Sequence, residues 1–126
     1  MLRLANPDDL SLIKEFLEKH PDTLIAESPL EMAETIVLDE TEGGEIVGVG
    51  GIRTLKNISI ISLLRAQPPG PLLDALVGYA KDKDHERVHV TLNEGPGMPI
   101  FEDKYFEYYP AFNAVGLYLM IRELKS

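Results

Sequence analysis

The chain has no cysteine and no tryptophan in 126 residues, and it is poor in positive charge. Twelve lysines and arginines stand against 21 acids, for a formal net charge of −9. Without cysteine there can be no disulfide, no thiolate nucleophile and no cysteine-ligated zinc. Without a cluster of lysine and arginine there is no surface for nucleic-acid phosphates or an anionic membrane, so neither is expected as a partner. The acidity is first a matter of solubility. The three histidines, His20, His85 and His89, are scattered without metal-ligand spacing, so no metal is expected, and His20 and His85 are expected in solvent at element ends. No apolar run approaches the roughly 20 residues that span a bilayer. Met1–Asn6 turns polar at once and lacks the apolar core of a signal peptide. A single domain over residues 1–126, soluble and cytoplasmic, is the expectation.

Two enzyme motifs are also missing. Gly48-Val49-Gly50 contains a Gly-x-Gly, but Arg53 holds the sixth position of the dinucleotide pattern and no helix follows. There is no Gly-x-Ser-x-Gly, and Ser59 and Ser62 fall inside a strand pattern, against a serine hydrolase.

What is present is organised around Ile58–Lys81. Ile58-Ser59-Ile60-Ile61-Ser62-Leu63-Leu64 has the length and isoleucine content of a buried strand. The loop Arg65-Ala66-Gln67-Pro68-Pro69-Gly70 follows. Leu72, Leu73, Leu76, Val77 and Ala80 then repeat at helix spacing, with Pro71 at the start and Lys81 and Lys83 at the end. A strand that feeds a helix through a tight loop aims free N–H groups and partial positive charge at an anionic ligand.

The rest of the chain supplies neighbours for this unit. Leu2–Ala5 is a short strand candidate. Asn6-Pro7-Asp8-Asp9 caps a helix that runs to about His20, with Leu10, Ile13, Phe16 and Leu17 on one face. Ser28-Pro29 with Glu31 three residues on predicts a second helix start. Thr35–Asp39 is a strand or the end of that helix. Glu45–Thr54 alternates as a strand, and its three glycines leave room for another backbone or a ligand. Val88, Val90 and Leu92 alternate with His89 and Thr91 in a further strand, and Asn93–Gly97 is a loop at its C-terminal end. Pro99–Tyr109 is predicted as an aromatic helix, and at least one of its three tyrosines is expected to line a cleft. Phe112–Leu124 is predicted as a last strand. If left as an edge, Leu117–Ile121 could pair with a second copy in a homodimer. Glu27, Glu94 and Glu107 are the conceivable bases. The sum is an α/β or α+β sheet domain with helices on its faces.

This ordered set resembles the GCN5-related N-acetyltransferase (GNAT) family. It is carried by Leu2–Leu10, Glu45–Ile52, Leu72–Leu76 with Tyr79-Ala80-Lys81, Val88–Asn93 and Val115–Met120. The resemblance implies a mixed, mostly antiparallel central sheet flanked by about four helices. It also implies acetyl-CoA as co-substrate and an amine, small-molecule or peptide, as acceptor. By that resemblance the strand edge near Leu63–Arg65 pairs with the pantetheine arm. Gln67, Gly70, Leu72 and the helix start hold phosphates, with charge from Arg65, and Asn93 bonds the cofactor. Tyr105 or Tyr108 protonates the departing thiolate.

The family's phosphate loop, (Gln or Arg)-x-x-Gly-x-(Gly or Ala), is matched by Gln67-Pro68-Pro69-Gly70-Pro71-Leu72. Pro68, Pro69 and Pro71 carry no N–H, and Leu72 brings bulk to the second glycine position. Two functions follow from the sequence. One is an N-acetyltransferase in which the amine attacks the thioester directly. The other is a catalytically inactive GNAT-like module that binds or regulates.

Overall fold

A computed structural model describes residues 1–93, 97–110 and 117–124. The fold begins with β1 (Leu2–Leu4), a 3-10 turn at Pro7–Asp9 and helix α1 (Leu10–Lys19). Strands β2 (Thr35–Glu40), β3 (Ile46–Leu55) and β4 (Ile58–Ala66) follow, then helix α2 (Gly70–Asp82) and strand β5 (Arg87–Asn93). Helix α3 (Gly97–Glu102) and strands β6 (Glu107–Tyr108) and β7 (Leu117–Glu123) complete it. The seven strands form one sheet in the order β1-β2-β3-β4-β5-β7-β6. Only the β4–β5 pairing is parallel.

The N-terminal cap forms as its residues dictate. The Asn6 side chain accepts the Asp8 N–H at 3.0 Å, and Asp9 returns a bond from the Asn6 N–H at 2.8 Å. Arg3 on β1 grips Asp9 with both terminal nitrogens and reaches Glu40 on β2 with Nε, tying strand, turn and neighbouring strand together. These contacts hold the Asp9 carboxyl at about 2, first through the Arg3 hydrogen bonds and then through the Asn6 N–H. Of the predicted apolar face of α1, Ile13 and Phe16 are buried, whereas Leu10 remains exposed.

Two clusters make the core, one on each face of the sheet. The larger lies under α2 and joins Ile52, Ile61, Leu64, Leu72, Leu76 and Val90, among others; α3 adds Phe101. The smaller lies under α1, with Ile13, Phe16, Leu38, Val49 and Leu63. The glycines of β3 serve this packing. A Cβ at Gly50 would lie 3.0 Å from Leu76 Cδ1 and 3.1 Å from Leu72 Cγ, so the bare backbone lets α2 sit close on the sheet. At Gly51 the same atom would meet Ala33 and Leu63. The room left by these glycines is filled by the protein itself.

Two elements and one side chain differ from expectation. Ser28 does not start an α-helix; only a 3-10 turn forms at Leu30–Met32, and Ala33 already has extended backbone. The following residues, Thr35-Ile36-Val37, are β-branched and pair with β3. The aromatic helix stops at Glu102. The chain turns through Asp103–Tyr105, with Tyr105 at φ 69°, and continues as the short strand β6. His85 is not simply solvated, since its Nδ1 and the Ser59 hydroxyl share a hydrogen bond. No helix among the described residues is long and apolar enough to cross a membrane.

Candidate active site

The sheet is split at its centre. Strand β4 pairs with β5 only where Ile58–Ile60 faces Arg87–His89. Beyond that point β4 stays on β3 as far as Ala66, and β5 stays on β7 as far as Asn93. The two central strands therefore part toward their C-terminal ends, which is where open α/β sheets bind ligands. A bulge lies on the β4 side of the split. Gly51 pairs with Leu63 and Ile52 with Ile61, so Ser62 has no partner residue on β3. Ser62 is 3 % exposed, and its hydroxyl has no hydrogen-bond partner.

The mouth of the split opens on the N-terminus of α2. Pro69 is the N-cap residue and no side chain caps the helix. The Leu73 N–H already bonds the Pro69 carbonyl. Pro69 and Pro71 have no N–H, so the donors of the first turn are those of Gly70 and Leu72. The Gln67–Pro68 peptide bond is cis, and Gln67 is exposed beside it. The bulk of Leu72 does not obstruct this end, because its side chain is 1 % exposed and packs over Gly50. Lys104 stands nearby. A Cβ on Gly70 would lie 3.8 Å from Lys104 Nζ, which also pairs with Asp74 at 3.0 Å. No local pattern marks Lys104, because it meets α2 at Asp74 from a turn 30 residues downstream.

The other predicted residues are placed as follows. The Leu63 side chain is 2 % exposed and belongs to the cluster under α1. The Arg65 guanidinium is held by the Glu27 carboxylate at 2.9–3.2 Å, with its remaining nitrogen donating to the carbonyls of Leu17 and His20. Asn93 donates to Thr23 Oγ1 and the Ile25 carbonyl, both at 2.9 Å. Tyr105 is 77 % exposed with Arg122 over its ring, at the rim of an open groove of about 410 Å³ beside Lys81 and Lys104. Tyr108 is half-buried on β6, its ring 5.7 Å from that of Tyr118. Tyr118 faces Leu92 across the β5–β7 pair. By its pattern Tyr118 is one residue of an apolar strand; its position beside the end of β5 comes from the register. Glu107 is exposed on β6. Glu94, Ala111-Phe112 and Val115-Gly116 lie outside the described residues. No group of three or more metal-ligating side chains is assembled among the described residues.

A mixed seven-stranded sheet split between its two parallel strands, with a helix N-terminus at the mouth, defines the acetyltransferase fold of the GNAT enzymes, and the comparisons with solved structures show the same. Rv2747 from Mycobacterium tuberculosis, solved with CoA and NLQ, superposes with a TM-score of 0.77 at 17% identity, over 99% of this chain and 99% of that one. A ribosomal-protein-alanine N-acetyltransferase from Brucella melitensis gives 0.70 at 17% identity, over 98% and 99%. A GNAT-family acetyltransferase from Elizabethkingia anophelis with acetyl-CoA bound gives 0.69 at 14%, over 98% and 97%. No protein-family model and no curated protein sequence matches the chain. The chain has the GNAT fold over its whole length.

Proposed function

We propose that the protein is an acyl-CoA-dependent N-acetyltransferase. The carrying observation is the parting of β4 from β5 onto the bare N-terminus of α2, in a fold shared with structures that hold CoA or acetyl-CoA. In this reading the pyrophosphate meets the N–H groups of Gly70 and Leu72 and the positive end of the helix. The Lys104 ammonium supplies the charge that the proline-rich loop cannot supply as hydrogen bonds. Gln67 flanks the phosphates, and the β4 edge near Leu63–Arg65, where no β5 residue pairs with it, receives the amides of the pantetheine arm.

The reaction is direct transfer. The amine nitrogen attacks the thioester carbonyl, the carbon–sulfur bond breaks, and the thiolate takes a proton while the new amide loses one. Tyr108, half-buried on β6 against Tyr118, whose register partner is Leu92 near the end of β5, is the acid in this reading. Tyr105, exposed under Arg122 in the groove that Lys104 also lines, is given no part in it. Arg65 orients Glu27 rather than a phosphate.

A second reading, a GNAT-like binding module without catalysis, is favoured by the same loop, since Pro68, Pro69 and Pro71 remove three amide donors. Calorimetric titration with acetyl-CoA separates the two. Micromolar binding supports the transferase, whereas no binding at millimolar ligand excludes it.

A further inference from the structure

We propose that the segment Thr23–Ser28 is a strap closing the β4–β5 split, with the Arg65–Glu27 ion pair as its latch, and that a ligand entering the split displaces it. The inference rests on the split being the site of the carrier arm.

The strap spans the gap between the parted strands. On one side the Ala26 N–H bonds the Thr91 carbonyl of β5 at 2.8 Å, and Ile25 forms a bridge with Leu92. On the other the Ser28 N–H bonds the Ser62 carbonyl of β4 at 2.9 Å. The chain itself thus takes up hydrogen-bonding groups that the parted strands offer to each other's side. Ile25 is fully buried. Asn93, at the end of β5, fastens the first half of the strap through Thr23 and Ile25. Arg65, near the end of β4, fastens the second half through Glu27, the two side chains being 17 % and 10 % exposed. The strap is therefore held by side chains at the two ends of the split where a carrier arm would enter.

Two observations argue that this closed form is not the only one the site is built for. The strap has no regular structure of its own; between α1 and β2 there is only the 3-10 turn at Leu30–Met32. A segment outside the helices and strands can open without breaking a regular element, at the cost of exposing Ile25 from the main core. At the β4 residue whose carbonyl holds Ser28, the Ser62 hydroxyl is buried without a partner at the bulge. A buried hydroxyl with nothing to bond is costly, so the bulge that the strap covers through Ser28 is a place where a rearranged β4 edge gains a hydrogen bond.

The test is hydrogen exchange of the Ala26 and Ser28 amides, followed with and without saturating acetyl-CoA, in the wild type and in Glu27→Gln. The amides of Leu76 and Val90 serve as the folding control. Both strap amides are expected to be protected in the free protein and to lose protection on binding. Glu27→Gln should speed their exchange about tenfold, with the control amides unchanged, and tighten acetyl-CoA binding by a similar factor. Strap amides that stay protected in the complex would overturn the proposal, as would a variant whose exchange and affinity match the wild type. If acetyl-CoA binds neither protein, the acyl-CoA reading falls by itself. The strap then stands or falls on whether Glu27→Gln speeds exchange at Ala26 and Ser28. Should Glu27→Gln lower the protection of the control amides, Thr23→Ala, which removes one Asn93 partner, is scored by the same criteria.

Discussion

Asp9 and Leu72 show how one side chain's surroundings set its behaviour. The Asp9 carboxylate, held at about 2 by Arg3 and the Asn6 N–H, lies below the value of an unfolded aspartate, near about 4. It stabilises the fold fully above pH about 4 and loses that contribution as pH falls toward about 2. Denaturant titrations of Asp9→Asn should therefore show lower stability at neutral pH and a flatter acid limb between pH about 4 and 2. An acid limb as steep as that of the wild type would remove the Arg3–Asp9 contact from the account. Leu72 was expected to crowd a phosphate, yet its side chain packs over Gly50. Gly50→Ala should cost about 1–3 kcal/mol in chemical denaturation, because the new methyl presses on Leu72 and Leu76. At the reacting centre, Tyr108→Phe should lower kcat about a hundredfold with little change in KM, using an acceptor found in an amine panel. Tyr105→Phe should leave both unchanged; the reverse pattern would move the acid to Tyr105.

Among the elements, the start of α2 bears most of the proposed phosphate binding. Pro71 removes a donor from its first turn. Pro71→Ala restores that N–H and should tighten acetyl-CoA binding severalfold while costing about 0.4–1 kcal/mol of stability through the looser unfolded chain. Lys104→Ala should weaken the same affinity about tenfold at low salt, with the effect shrinking as salt is raised. If Lys104→Ala binds acetyl-CoA as tightly as the wild type, its proximity to Gly70 has no functional meaning. The elements also show what the sequence could and could not disclose. The alternation of β3 and β5, the apolar run of β4 and the periodicity of α2 are local signals, and each element formed as expected, while Asn6 caps a 3-10 turn ahead of α1 rather than α1 itself. Ser28-Pro29 carried a local helix signal that lost to the strand pairing of Thr35–Glu40 and to the Ser28 contact with β4. Phe101 and Phe106 fitted a helix on composition. They instead meet edge to face at 5.3 Å across the turn that ends α3.

At the scale of the whole molecule, the resemblance in order of elements anticipated the fold, although no segment of sequence was decisive. The site was less legible, because its defining contacts join distant parts of the chain. Arg65 meets Glu27 across 38 residues, Asn93 meets Thr23 across 70, and Lys104 meets Asp74 across 30. Residue type announced that Arg65 and Asn93 were capable of binding, but only the fold shows that both are engaged by the strap. The fold is thus the GNAT fold, with Thr23–Ser28 bonded to both β4 and β5 where they part and three prolines where the loop enters α2. The most direct test is calorimetric titration of the wild-type protein with acetyl-CoA and with coenzyme A at low and moderate salt. The account predicts binding in the micromolar range or tighter, weakened by salt because the phosphates meet Lys104 and the helix end. No heat of binding up to millimolar ligand would contradict it and leave the GNAT-like binding module as the function of this fold.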